Sequence, residues 1–229
     1  MHARLVALAA VSFVLLVHSD PALAGPPTEQ LKGRIDRVIR VLDDPQMRAE
    51  ARTAERRAAI RAVASEMFDY KEISARSLAR HWHPRTPAER EEFARLFGDL
   101  LELSYISKIE LYSGEKIAYV GEALDGDYAT VRTRIVTKQG TEIPVDYRLL
   151  RHGEQWRAYD VLIEGVSLVG NYRSQFNSVI QRSSYDGLMK ALRAKVEEAA
   201  KTPPAATGKA ATPASGPPAP EPPRRVQSP

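Results

Sequence analysis

Two pairs of neighbouring acidic and aromatic residues are the side chains in this sequence best suited to acid–base chemistry. Asp146 is followed by Tyr147, and Tyr159 is followed by Asp160. A carboxylate beside a phenol in an apolar pocket can serve as a general base, as in small cone-shaped α+β enzymes. In each predicted strand, however, the aspartate alternates onto the face opposite its tyrosine, where pairing with Arg148 or with a turn is the simpler role. A small-molecule enzyme that uses one of these pairs is therefore the alternative hypothesis.

Two histidines, His81 and His83, lie on either side of Trp82 and have a spacing that permits a shared metal. No cysteine, third histidine or carboxylate cluster nearby completes a ligand set, so we expect no metal site and interpret Trp82 as a core anchor. The sequence also lacks a phosphate-binding loop, a dinucleotide fingerprint and a nucleophile elbow. We therefore predict no catalytic residue, no cofactor and no enzymatic activity.

The two ends of the chain differ in composition from its middle. Residues 1–24 have a basic Arg4, then an apolar run of about 13 residues, then a small-residue cleavage pattern at Ala22-Leu23-Ala24, which predicts an export signal. The apolar run is shorter than the ~20 residues that a membrane-spanning helix needs. Residues 201–229 are rich in Pro, Ala, Gly, Ser and Thr, which predicts a disordered, partly polyproline-II tail. This tail either solubilises the protein or tethers it to peptidoglycan or a partner.

Residues 25–200 are predicted to form one domain. The two ends contain five of the 33 basic residues and two of the 29 acidic ones, which leaves 28 basic and 27 acidic residues in the domain. The basic isoelectric point therefore does not describe the folded body, and nucleic-acid binding is not predicted. The chain has no cysteine, so its core must hold the domain together without disulfides.

Apolar residues at helical spacing predict three longer helices in the first half of the domain. The first runs from Thr28 to Leu42, and the second, rich in arginine, from about Met47 to Phe68. The third runs to about Leu111 and begins at a predicted capping box, Thr86-Pro87-Ala88-Glu89. The basic face of the second helix suits transient contact with anionic lipid headgroups, although a solvated surface is the simpler interpretation.

The second half of the domain predicts a meander of four antiparallel strands, separated by glycine-containing turns. The predicted strands are 116–123, 127–138, 141–151 and 155–163. Gly165 ends the last strand and starts a helix that ends near Ser183, and Asp186 is predicted to cap a final short helix. Because one strand face is apolar and the other polar, the fold class is α+β, with N-terminal helices packed on one face of the sheet.

Three segments together resemble one protein family. They are Trp156-x-x-Tyr159-Asp160-x-x-x-Glu164-Gly165-Val166-Ser167-Leu168, the segment from Thr86 to Phe93, and Asp186-Gly187-Leu188. In this order they resemble the MlaC family of periplasmic phospholipid carriers, also called toluene-tolerance proteins, and the resemblance covers residues 28–198. A hopanoid-associated branch has similar motifs, so the kind of lipid stays open. The proline-rich tail is not part of the family pattern.

The resemblance implies a cone related to nuclear transport factor 2, with a deep apolar pocket for the acyl chains of a diacyl phospholipid. It implies transport without catalysis, in the periplasm, between an inner-membrane ABC complex and an outer-membrane lipoprotein complex. Strand alternation and helix periodicity then suggest which side chains line the pocket. The predicted lipid-binding residues are Phe97, Leu100, Leu101, Tyr105, Ile109, Ile135, Val145, Tyr147, Tyr159, Val161, Ile163, Val166, Val169, Tyr172 and Phe176.

Overall fold

The structure is a computed structural model that describes residues 25–201. The predicted export signal and residues 202–229 of the predicted tail lie outside the described residues. The described elements are α1 (Pro26–Asp43), α2 (Thr53–Met67), α3 (Tyr70–Leu78), α4 (Pro87–Ile109), β1 (Lys116–Asp125), β2 (Tyr128–Val136), β3 (Glu142–His152), β4 (Gln155–Ile163), β5 (Val166–Ser167), α5 (Leu168–Arg182) and α6 (Tyr185–Lys201), with 3-10 turns at Glu50–Arg52 and Ala79–His81. No helix within residues 25–201 is both long enough and apolar enough to cross a membrane.

The start of α4 confirms the predicted capping box. The Thr86 hydroxyl accepts a hydrogen bond from the Glu89 backbone N–H, and the Glu89 carboxylate accepts one from the Thr86 N–H. At the start of α1, the hydrogen-bond acceptor is a residue far away in the sequence. The Glu122 carboxylate on β1 accepts hydrogen bonds from the Thr28 N–H at 2.8 Å and the Thr28 hydroxyl at 2.6 Å, which ties α1 to the edge of the sheet. A negative charge at a helix N-terminus is favourable because the free N–H groups point at it.

The strands form one antiparallel sheet in the order β1-β2-β3-β4-β5. The meander confirms the predicted α+β class, but the expected four strands are one too few, because β5 pairs with the end of β4. The connecting turn has both central residues in the left-handed region, with φ of 51° at Glu164 and 81° at Gly165. This turn geometry matches the twist of the sheet, so the chain forms a short hairpin before α5 begins. A bulge between Tyr119 and Gly121 interrupts the pairing of β1.

Two groups of buried apolar side chains form the core. The sheet cluster packs α1 on one face of β2, β3 and β4, and its fully buried members include Leu31, Val131 and Leu149. The helical cluster joins α3, α4, α5 and α6 and is rich in aromatic rings, with Phe93 and Phe176 fully buried. Trp82 belongs to the helical cluster and Trp156 to the sheet cluster, which confirms Trp82 as a core residue.

The long helix α4 packs against other helices. Its main neighbours are α3 and α6, with fewer contacts to α2, whereas the helices that pack directly on the sheet are α1, α2, α3 and α5. An ionic clamp joins the end of α4 to α2. The Glu110 carboxylate accepts hydrogen bonds from the guanidinium groups of Arg56, at 2.8 Å, and Arg57, at 2.7 Å. The C-terminal end of α4 is therefore held by charged side chains as well as by apolar packing.

Two helix starts differ from the predictions. The second helix begins at Thr53, after the 3-10 turn, and not near Met47. The last helix begins at Tyr185, and the Ser184 hydroxyl accepts a hydrogen bond from the Gly187 N–H at 3.0 Å. Asp186 lies in the first turn and does not cap the helix as predicted. Serine and aspartate are both favourable N-cap residues, so the sequence alone does not show whether Ser184 or Asp186 caps the helix.

Candidate functional site

Five of the predicted lipid-binding residues lie side by side on the inner face of the sheet, the face that α1 covers further along. In the register of β2, β3 and β4, Val145 pairs with Ile163 and Tyr147 with Val161, and Ile135 pairs with Ile143. Facing residues on paired strands project from the same face, so these side chains form one apolar surface. We call it the sheet strip. It consists of Ile135, Ile143, Val145, Tyr147, Val161 and Ile163.

The sheet strip is incompletely covered. Val145 is only 4% exposed, but Ile135, Ile143, Val161 and Ile163 are all partly buried. The apolar surroundings disfavour a phenolate, and this desolvation raises the pKa of Tyr147 to about 12. The strip therefore combines an apolar environment with side chains that the protein covers only in part. Ile143 was not among the predicted lining residues, although strand alternation places it on the same face.

Six predicted residues from α4 and α5 lie in the helical cluster and pack on one another. The Phe97 ring lies 4.9 Å from the rings of both Tyr172 and Phe176, in edge-to-face contacts. Burial raises the pKa of Tyr172, which keeps its phenol neutral. The six residues are Phe97, Leu100, Leu101, Val169, Tyr172 and Phe176, and each is at most 6% exposed. Tyr105 packs on the edge of this cluster and is partly buried.

Three predicted residues lie apart from both groups. Ile109 and Val166 are 37% and 50% exposed. Tyr159 is on the opposite face of the sheet from Val161, because a bulge in β4 leaves it unpaired between Ala158 and Asp160. Its ring contacts Tyr128 on the outer face and lies 4.1 Å below the Arg76 guanidinium. The prediction that Tyr159, Val161 and Ile163 share one face is therefore wrong, since one extra residue reverses the alternation.

Asp160 has a structural environment. Its carboxylate accepts hydrogen bonds from the Ser167 hydroxyl at 2.7 Å and the Val169 N–H at 3.1 Å, and it pairs with Arg148 at 3.4 Å. The side chain is only 4% exposed, and its carboxylate accepts hydrogen bonds from donors at the start of α5. A carboxylate that already accepts these three hydrogen bonds is poorly placed to accept a substrate proton. Asp146 and Tyr147 are successive residues of β3 and project from opposite faces of the sheet, so this pair does not converge as the alternative hypothesis requires.

Two cavities open elsewhere on the domain. One of about 670 Å³ lies between α3 and α4, and one of about 500 Å³ lies beside α3. None of the predicted lipid-binding residues lines either cavity. Within residues 25–201 no cluster of His, Asp and Glu could hold a metal ion. The His81 ring nitrogen instead lies 3.1 Å from the Asn177 side-chain oxygen.

Comparison with known proteins identifies relatives of this fold. A solved phospholipid-binding protein from Ralstonia solanacearum, in complex with a phospholipid, has the same fold, with a TM-score of 0.67 at 24% identity. That similarity covers 76% of this chain and 99% of the other. The toluene tolerance protein ttg2D of Pseudomonas putida is 29% identical over 122 residues, which are 53% of this chain and 56% of that protein.

A second relative is the intermembrane phospholipid transport system binding protein MlaC of Haemophilus influenzae. It is 25% identical over 149 residues, which are 62% of this chain and 68% of that protein. The family model described as MlaC protein matches residues 32–194, a range that runs from α1 into α6 and includes the sheet strip and the helical cluster. This chain therefore belongs to the MlaC protein family.

Proposed function

We propose that this protein binds one diacyl phospholipid and carries it across the periplasm. The observation that carries the proposal is the sheet strip, a continuous apolar surface whose side chains are mostly only partly buried. The long apolar helix α4 packs chiefly on α3 and α6, which leaves the strip without a long helix of its own. We place the acyl chains between the strip and the inner side of α4.

The energy of lipid transfer explains the need for such a surface. Two 16-carbon chains in water are unfavourable by about 25 kcal/mol, at ~0.8 kcal/mol per methylene. A carrier must offset most of this free energy and still release the lipid to a bilayer of similar polarity. A strip of branched aliphatic side chains provides apolar contact without directional bonds, and the headgroup stays in water. The protein therefore binds by burial and has weak headgroup selectivity.

The name of one relative supports a donor and an acceptor in two different membranes. The H. influenzae protein is named for an intermembrane phospholipid transport system. We propose an inner-membrane ABC complex and an outer-membrane lipoprotein complex as the two partners, with export directed by residues 1–24. We expect contact with the membranes themselves to be peripheral and transient. The arginines of α2 are poorly placed for it, because Arg56 and Arg57 pair with Glu110 and Arg61 pairs with Glu102. Detection of the full-length gene product in an osmotic-shock fraction would test the location, and retention in the cytoplasm would contradict it.

The proposal is tested by measuring co-purifying lipid. Protein purified from a bacterial host should release diacyl phospholipid on extraction and show a bound mass in native mass spectrometry. A hopanoid in place of a phospholipid would assign the protein to the other branch. Protein that is repeatedly free of any lipid would overturn the proposal.

Two matched substitutions locate the site. Val161→Trp fills the sheet strip, and we expect a several-fold loss of bound lipid with little change in folding. Val120→Trp places the same ring on β1, where the side chain is 51% exposed, and should leave the lipid content unchanged. Circular dichroism shows whether both variants are folded. Equal lipid content in the two variants would remove the strip from the site.

A further inference from the structure

An apolar groove lies between α3 and α4, outside the lipid site proposed above. Its volume is about 670 Å³, and its lining includes Tyr70, Trp82, Pro87, Ala94 and Gly98. The Tyr70 ring packs over Gly98, where an added Cβ would lie 3.3 Å from the ring. Ala94 and Gly98 are one helical turn apart, so a strip without bulky side chains runs beside two aromatic rings. We call this feature the aromatic groove.

The rim of the aromatic groove has a carboxylate, that of Glu91, which could pair with a cation of a ligand. The Arg90 guanidinium is occupied, because it donates hydrogen bonds to the backbone carbonyls of Trp82 and His83. Glu91, the next residue on α4, is exposed and has no hydrogen-bond or ion-pair partner within residues 25–201. Lys71 lies on the α3 side, and Arg95 on α4 is paired with Asp99. A ligand with apolar turns and a guanidinium near one end would match this arrangement.

The same chain contains a segment with those properties. Residues 217–225 read Pro-Pro-Ala-Pro-Glu-Pro-Pro-Arg-Arg. A polyproline-II helix has three residues per turn, so Pro217, Pro220 and Pro223 would align on one edge, followed by Arg224 and Arg225. Proline-rich segments with this three-residue repeat bind to aromatic-lined grooves, because their extended conformation costs little further ordering entropy.

The segment is also within reach. Helix α6 ends at Lys201 and packs on α4, the helix that forms one wall of the aromatic groove. Residues 202–216 span up to about 50 Å at 3.1 Å per residue. A domain of this size has a radius of gyration of about 16 Å. A tethered segment of this length has an effective concentration near the millimolar range, so even weak docking would be populated.

We propose that the segment 217–225 docks in the aromatic groove of its own chain as a polyproline-II helix, with an arginine at Glu91. The docked segment covers the surface between α3 and α4, on a part of the domain separate from the sheet strip. Any other ligand of the aromatic groove would then have to displace the docked segment. This inference does not depend on which lipid the domain carries.

Fluorine NMR of the full-length mature chain tests the docking. The chain has two tryptophans and no cysteine, so 5-fluorotryptophan gives two signals and Ser228→Cys gives a single site for a nitroxide label. We expect the label to cause selective loss of the Trp82 signal, while the Trp156 signal in the sheet cluster persists. Replacing Pro217, Pro220 and Pro223 with alanine should restore the Trp82 signal.

A charge exchange provides the matched control. Reversal of the tail charges by Arg224→Glu with Arg225→Glu should restore the Trp82 signal, and adding Glu91→Lys should make it disappear again. Glu154 is exposed on the turn after β3, and adding Glu154→Lys to the reversed tail should leave the Trp82 signal visible. Equal broadening of both tryptophans, or of neither, would overturn the proposal. Broadening that grows with protein concentration would also overturn it, because the tail would then dock on a second copy.

Discussion

The helical cluster and the sheet strip consist of similar apolar residues but differ in how completely they are packed. In the helical cluster, Phe97 and Phe176 are fully buried and their rings are 4.9 Å apart. In the sheet strip, Val161 and Ile163 are only partly buried although they face the same apolar surface. Complete packing holds one conformation, whereas incomplete packing leaves contact area for a molecule that must enter and leave. Under the proposed function, the helical cluster therefore stabilises the fold and the sheet strip binds the cargo.

The largest expected effect comes from truncation in the helical cluster. Phe97→Ala removes a ring that packs against three other rings, and we expect a loss of about 3–5 kcal/mol in the free energy of unfolding. Val161→Ala in the sheet strip should cost only about 1 kcal/mol, because fewer buried methylenes are lost. Urea unfolding followed by circular dichroism measures both. Similar losses at the two positions would contradict the separation of roles.

The second prediction concerns Asp160, which connects the two regions. Its carboxylate joins β4, a strand of the sheet strip, to the first turn of α5 in the helical cluster. Asp160→Ala leaves the Val169 N–H and the Ser167 hydroxyl without their acceptor, and we expect a loss of about 2–3 kcal/mol in urea unfolding. Asp146→Ala, on the same sheet but partly exposed, should change stability by less than about 0.5 kcal/mol. If both changes proved neutral, Asp160 would not connect the regions.

The third prediction uses pH to probe the ionic clamp on α4. Burial alone would raise the pKa of Glu110, but the hydrogen bonds from Arg57 and Arg56 outweigh it and hold that pKa below its ordinary value. A carboxyl whose pKa is lower in the folded state stabilises the protein at neutral pH, and this contribution is lost as the pH falls through the folded pKa. Glu110→Gln should therefore cost about 1–2 kcal/mol at pH 7 and progressively less below its ordinary pKa of 4.5.

Thermal unfolding over a pH series measures this dependence. The exposed pair Arg134–Glu142 serves as the control, since both side chains are 50% exposed and Glu142→Gln should change stability by less than about 1 kcal/mol at any pH. A Glu110→Gln deficit that stays constant down to pH 3 would exclude the clamp as its source.

The smallest expected effect is at Val166. This predicted lipid-binding residue is 50% exposed, so Val166→Ser should alter the free energy of unfolding by less than about 0.5 kcal/mol. Its lipid content is the informative measurement. A loss of bound lipid without a loss of stability would extend the site from the sheet strip to β5, and an unchanged lipid content would end the site at Ile163.

Local patterns predicted most of the elements, because their signals lie within a few residues. The capping box at Thr86 marks the start of α4, and the glycines between the strands mark the turns of the meander. The bulge at Tyr159 could not be predicted in this way, since an unpaired residue leaves no mark in the alternation. The sequence also could not predict which apolar residues belong to the helical cluster and which to the sheet strip. Apolar periodicity predicts burial but does not indicate whether the neighbour is a side chain or a lipid, so the lining residues stay a prediction.

The bulge in β1 has a consequence for how the protein behaves when many copies share a confined compartment. β1 is the outer strand of the sheet, with Val120 and Leu124 more than half exposed. A straight apolar edge of this kind invites a neighbouring molecule to add its own strand, and repetition leads to aggregation. The interruption between Tyr119 and Gly121 breaks the even row of hydrogen-bonding groups and twists the edge, and Lys116 adds charge at its start. A carrier that must expose apolar surface to its cargo thus has a sheet edge that resists pairing with other copies.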